Sequence, residues 1–557
     1  MRLSIQVSPD QELRFDGDAL LAFSPNGGSL VIPGREKGQG WLFRRPLGEP
    51  ASKIIAGTEE AHSAFFSPDG RWIGFVVESK LMKAPVEGGR PLALAESRGA
   101  GGAAWLPDDT LVFAPIYSDG LFRVSAQGGP VERLTTPDRT AAELGHWWPD
   151  PLPGARRILF TAFRTPVDRS RIGVLDLESR KVSWVLEGGF FARYAPSGHV
   201  LFARGQRLFA APFDAGSATV TGPAVAVLDD LGVSQTGGTA MFAVSTRGTL
   251  AYVTQSLGDP VKELVWIDRA GRVTPALGER RRFKSVDLSP DGERVVLGIQ
   301  QESLDVWVYS LQRSTLSRLT TGEGTEFDPR WSRDGREILY VVDRPPFELH
   351  RMAAGSPDSG RSIWQEPAEV DTVGIAASPD GRTIAFQRTE PQTGRNIYWR
   401  PLDGKEPPHP FRVTRSEERY PSFSPDGLWL AYQSNETGRS EVYVEAFPGP
   451  GERFQISADG GTEPLWAQNG EIFFRHNDET RVVATRRAGR FEFEAPRNLF
   501  SYPALKDAND DNRTYDVAAD GSRILAIGIP EAGRPRRIEI VTDWMGELAR
   551  LVPGGSR

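Results

Sequence analysis

Few residues in this 557-residue chain are of a type that does chemistry. It has no cysteine and six histidines. That removes disulfides, thiol nucleophiles and cysteine metal sites. His62, His146, His199, His350, His409 and His476 are scattered, so a multi-histidine metal site would need distant segments to converge. No Gly-x-Ser-x-Gly elbow, Walker loop, kinase signature, dinucleotide fingerprint or His-Glu-x-x-His helix occurs. Asp69, Asp291, Asp334, Asp380 and Asp426 each precede a glycine and read as turn residues bonding their own backbone. Asp507-Ala508-Asn509-Asp510-Asp511-Asn512 is oxygen-rich but lacks EF-hand spacing, and reads as a solvated loop. Neither a cofactor nor a resident metal is implied. Two constellations remain as candidate binding sites: Glu326, Asp328, Arg419, Tyr420 and Glu463, and the run His146-Trp147-Trp148.

The elements that must position them repeat. Tyr420 to Pro448 reads as strand, tight turn, strand, longer loop, strand. In Ser424-Pro425-Asp426-Gly427, proline pre-sets φ, aspartate bonds nearby backbone and glycine accepts a positive φ. Equivalent turn positions fall at Gly27, Gly70, Asp109, Ala155, Gly198, Gly248, Gly292, Gly335, Gly381, Gly427, Gly470 and Gly521. Their spacing of 39 to 51 residues is that of a four-stranded propeller blade. Alanine tolerates positive φ poorly, so the fourth turn is expected to be built differently. Four positions before each marker lies a mostly large, apolar column that includes Phe66, Trp105, Trp331, Phe423 and Trp466. It reads as packing between blades. Seven positions before each marker, just ahead of the inner strand, a loop is expected to face one mouth of the ring. There the second half offers Asp328, Tyr420 and Glu463, flanked by Glu326 and Arg419, which suits a basic or hydrogen-bonding peptide-like group. The first half offers His146, Trp147 and Trp148, which suits something flatter and more apolar.

Twelve blades exceed the usual single ring of four to eight. The fold class is therefore all-β: tandem β-propellers, two rings of about six four-stranded blades each, with a short C-terminal helix over Met545 to Leu551 lying on the surface. Residues 1–265 form the first ring and 266–557 the second. Met1 to Val7 is a candidate outer strand closing a ring. Net charge is −7 with both signs interspersed, which disfavours a nucleic-acid groove. Arg280-Arg281-Arg282 and Arg534-Pro535-Arg536-Arg537 read as solvated faces. No apolar run is long enough to span a membrane, and Met1 to Val7 is not a signal peptide, so a soluble chain without an address is expected.

The repeated Ser-Pro-Asp-Gly turns, Asp328-Pro329-Arg330-Trp331 and Arg318-Leu319-Thr320 resemble TolB-like β-propeller repeats. Tyr432 to Val444, Gln455 to Trp466 and Val541-Thr542-Asp543-Trp544 are similar to the C-terminal propeller region of bacterial eukaryotic-like serine/threonine kinases. That resemblance implies an extracytoplasmic sensing or protein-binding role. It departs from the family in having no kinase domain and no membrane segment, as an excised region or a free-standing relative would. The expected function is a non-catalytic sensor or binding scaffold for a protein, a peptide or a small ligand at a propeller mouth. The alternative is a hydrolase or lyase working in one propeller channel.

Overall fold

The computed structural model describes residues 2–553 except 9–10, 15–19, 37–38, 78, 98–100, 165–166, 235–236, 255–260, 302, 323, 344–346, 368–369, 391–393, 405, 488–490, 503–511 and 531–536. The oxygen-rich run 507–512 thus lies outside the described residues apart from Asn512. So does Arg534-Pro535-Arg536.

All twelve marker turns share one geometry. Each marker has positive φ, from +52° at Ala155 to +89° at Gly470. Each donates its N–H to the carbonyl three residues back, as in Gly27 to Ser24 at 2.7 Å and Ala155 to Leu152 at 2.8 Å. The fourth turn is therefore built like the others. The hydrogen bond and the flanking strands hold Ala155 in a conformation that is unfavourable for it. The turn aspartates bond locally. Asp426 accepts from Ser424 Oγ at 2.6 Å and Leu428 N at 3.0 Å. The same bonds, from the Ser67 hydroxyl first and the Arg71 backbone next, hold Asp69 down to about 2.

The hairpins extend into antiparallel sheets of four or five strands, twelve in all among the described residues. The column four before each marker ends the inner strand and fills the seam to the preceding blade. Trp105 packs with Val76 and Leu81, Trp331 with Val296 and Val306, and Trp466 with Ala431 and Val442. Burying such a side chain is worth about 1.5–3 kcal/mol. The aromatics are core.

The chain divides into two compact units: Met1–Pro260 with Arg534–Arg557, and Val261–Gly533. Each has six blades. In the first unit the sixth blade runs, from the axis outward, Phe242–Val244, Leu250–Tyr252, Arg537–Val541 and Arg2–Gln6. The N-terminal strand takes the outermost place. In the second unit the last blade runs Tyr515–Val517, Arg523–Gly528, Glu263–Asp268 and Val273–Pro275. The division at 265/266 is thereby corrected. Residues 261–265 belong to the second unit, and 534–557 return to the first because Arg537–Val541 fills the gap between Leu250–Tyr252 and Arg2–Gln6. The second ring is an insertion in the sixth blade of the first.

The helix, Trp544–Leu551, is not merely laid on the surface. Trp544, Leu548 and the following Val552 are buried in the main core of the first unit. Trp544 N donates to Gly248 O at 2.8 Å, and His199 Nε2 meets Val552 O at 2.8 Å.

Candidate functional site

The column seven before each marker lies just ahead of the inner strand at Leu20, Gly102, Met241 and Thr514, and inside the strand in the other eight blades. In seven blades it sits at a bulge with positive φ, at Ser63, Trp148, Phe191, Asp328, Gly374, Tyr420 and Glu463. The strand register slips at that place, for example between Phe327 and Arg330 and between Arg419 and Ser422. A bulge re-aims one side chain. Here it aims inward: Asp328 and Glu463 are 0 % exposed, as is Thr514 just ahead of the last inner strand.

In the second ring these groups fasten blade to blade. Asp328 Oδ2 accepts Ile375 N at 2.6 Å, and its Oδ1 is paired with Arg330 at 2.5 Å. Glu463 accepts the N–H and hydroxyl of Thr514, with Arg475 3.7 Å away. Five positions before the markers a second set does the same. Asp516 accepts Leu288 N at 2.6 Å, Asp287 accepts Trp331 N at 2.9 Å, and Ser422 accepts Trp466 N at 2.9 Å. Two buried guanidiniums tie the inner-strand carbonyls. Arg330 donates to Val286, Pro329 and Ile375, and Arg513 to Pro464 and Pro421. Burial and the neighbouring carboxylate push Asp287 above the usual carboxylate range, against the pull of Arg330. Asp516 is likewise raised, chiefly by burial.

The first ring solves the same problem with aromatics. Trp148 is 0 % exposed, 5.3 Å from Phe191, which meets Phe242 at 5.6 Å. Trp148 lies over Gly102, where a Cβ would fall 2.6 Å from the ring. Trp147 stacks on Phe163 at 3.9 Å and donates Nε1–H to Tyr117 O at 2.8 Å. Neither indole offers an open face to a flat ligand.

His146, Glu326 and Glu418 share a third position, nine before their markers. Each meets the threonine two residues past the end of the preceding blade's outer strand. His146 Nδ1 lies 2.7 Å from Thr135 Oγ1, Thr414 Oγ1 donates to Glu418 at 2.7 Å, and Glu326 bonds Thr320. His146 Nε2 lies 3.1 Å from Glu143, so Thr135, His146 and Glu143 are ordered like a nucleophile, base and acid. All three are buried, and Thr135 Oγ1 also accepts Leu121 N at 2.8 Å. Although burial opposes its charge, bonds from His146, the Asp138 backbone and Arg171 hold Glu143 down to about 2. Burial pushes Glu326 and Glu418 up to about 7.

Of the eight sequence candidates, Asp328 and Glu463 share the second axis, and Tyr420 is buried at the same level. Glu326 and His146 lock blades, while Trp147 and Trp148 are core. Arg419 alone is half-buried, 3.4 Å from Glu417. Sequence reasoning missed Asp287, Arg330, Arg513, Asp516 and Gln387 as axial groups. The signal was a charge directly before the apolar column, at Asp150, Arg193, Asp287, Arg330 and Asp516. Among the described residues no group of three or more histidines and carboxylates is placed to hold a metal. No helix among them is long and apolar enough to cross a membrane.

Twelve blades fastened around two axes define a tandem β-propeller. No protein-family model matches the chain. The "Uncharacterized peptidase YuxL" of Bacillus subtilis (strain 168) is 23% identical over 189 residues, 27% of this chain and 29% of that protein. The chain thus matches under a third of that relative's length. Solved structures similar in fold are TolB-like β-propeller proteins. A protein described as TolB from Agrobacterium tumefaciens is 18% identical over 48% of this chain and 98% of its own, with a TM-score of 0.41. TolB from Acinetobacter baumannii is 13% identical over 72% and 81%, with a TM-score of 0.30. The tricorn protease is 14% identical over 90% and 55%, with a TM-score of 0.30.

Proposed function

We propose that the protein is a non-catalytic scaffold that binds a protein or peptide partner at a propeller mouth, as the sensing region of a bacterial serine/threonine kinase would. The observation that carries this reading is the use made of its reactive groups. Asp328, Glu463, Asp287 and Asp516 each accept a backbone N–H of the next blade, and the His146–Glu143 pair is buried behind Thr135. A catalytic base must reach a substrate proton, and these groups are engaged elsewhere. Arg419, half-buried and 3.4 Å from the buried Glu417, supplies a partly accessible charge for a peptide.

The peptidase named above favours a hydrolase as the second reading. One experiment separates the two. Purified protein is presented with an array of basic and neutral peptides and, in parallel, with fluorogenic peptide substrates. The scaffold reading expects binding that Arg419→Glu or Glu417→Arg alters, without cleavage. Cleavage that His146→Ala abolishes, while the fold survives by circular dichroism, would establish the hydrolase instead.

A further inference from the structure

The fasteners of the second ring run around the axis with one departure. Asp516 joins the last blade to Leu288, Asp287 joins the next to Trp331, and Asp328 the next to Ile375. Further round, Ser422 and Gln433 join the blade of Gly427 to Trp466 and Glu463, and Glu463 joins the following blade to Thr514. In the blade of Gly381 the two fastening positions are Gly374 and Ala376, which carry no polar side chain. The remaining position is Gln387, six residues after its marker, as Gln433 is after Gly427.

Gln433 shows what a glutamine does there. Its Oε1 accepts Glu463 N at 3.2 Å, and its Nε2 donates to Ser440 Oγ at 3.0 Å. Gln387 does neither. It is 0 % exposed, and neither its Oε1 nor its Nε2 has a hydrogen-bond partner among the described residues. Its amide turns over Gly374, with Nε2 only 1.4 Å from where a Cβ of residue 374 would be. Gly374, at φ +62°, is the only glycine at this level of the second ring, and it makes the room. A buried amide left without partners is destabilising, and native proteins rarely leave one unserved.

We propose that the seam beside Gly374 and Gln387 is a binding site for a small uncharged amide. A carboxamide ligand gives its carbonyl to Gln387 Nε2–H and its N–H to Gln387 Oε1, a reciprocal pair that serves both orphaned atoms. The guanidinium tied to the strand of Gly374, Arg330, is already matched with Asp328, which leaves a neutral amide the better fit. Bound amide takes the place of the missing fastener and stiffens the ring at this seam. The site uses Gln387 and Gly374 and not the side chains of Arg419 and Glu417 on the neighbouring blade, so it does not rest on that reading.

The test uses the whole chain with acetamide as probe and acetone, which accepts but cannot donate, as the matched control. Each is incubated overnight, because a buried site exchanges slowly. Acetamide should raise the melting temperature saturably in the wild type and not in Gln387→Met. At about ten times its dissociation constant it should slow amide exchange around 372–377 and 418–423 by about tenfold, while acetone leaves both readouts unchanged. The exchange measurement needs only wild-type protein and decides the matter if Gln387→Met does not fold. Equal effects of acetamide and acetone, no effect of either, or an undiminished acetamide shift in Gln387→Met would each overturn the proposal.

Discussion

Glu326 and Glu418 show how position overrides residue type. Each carboxyl is buried against a threonine at a blade junction, and burial raises it to about 7. The unfolded chain gives up these protons near the ordinary carboxylate value of about 4.3. The native state therefore binds more protons between that pH and about 7. Stability from this source is complete below the unfolded value and falls as pH rises through the folded one. The melting temperature should decline between about pH 4.3 and 7 and level off above that, and the double variant Glu326→Gln, Glu418→Gln should flatten that decline. A slope identical to wild type in a pH series of thermal melts would remove these residues from the explanation. The same logic explains why the candidate site was only partly legible. Asp328 and Glu463 stood out as acids at a repeated offset. Their burial did not, because a bulge inserts one residue without leaving a mark in the apolar alternation.

At the scale of the element, the turn is the most informative unit. Ten of the twelve marker positions hold glycine, and φ is positive at all twelve. Ala155 is the instructive member. Its left-handed conformation costs about 1–2 kcal/mol, part of which glycine would return as unfolded-state entropy. Ala155→Gly should therefore stabilise the first ring by up to about 1 kcal/mol, a rise of about 2–4 °C for a unit of this size. A lower melting temperature would show that the Ala155 methyl packs better than its backbone strains. The turns, the inner-strand aromatics and the blade count were all readable because each depends on a local residue preference. The bulges were not, since residues as unlike as Ser63, Trp148, Asp328 and Gly374 occupy that position and share no local preference.

For the whole molecule, topology matters more than any single contact. The second unit interrupts the sixth blade of the first, and Arg537–Val541 must return to complete it. Alternation identified Ile538 to Trp544 as a strand but carries no information about which sheet edge it joins. Deleting 534–557 should therefore unfold or greatly destabilise the first ring while the second retains its own melt. Calorimetry of the truncated chain checks this; loss of the second transition with the first intact would refute the insertion. The claim beneath all of this is that buried charges on the second axis hold neighbouring blades together. Native-state hydrogen exchange on Asp328→Asn and Glu463→Gln tests it most directly. If those carboxylates are fasteners, the Ile375 and Thr514 amides should exchange about tenfold faster or more, the equivalent of about 1.4 kcal/mol, with first-ring rates unchanged. Exchange at Ile375 and Thr514 as slow as in the wild type would contradict it.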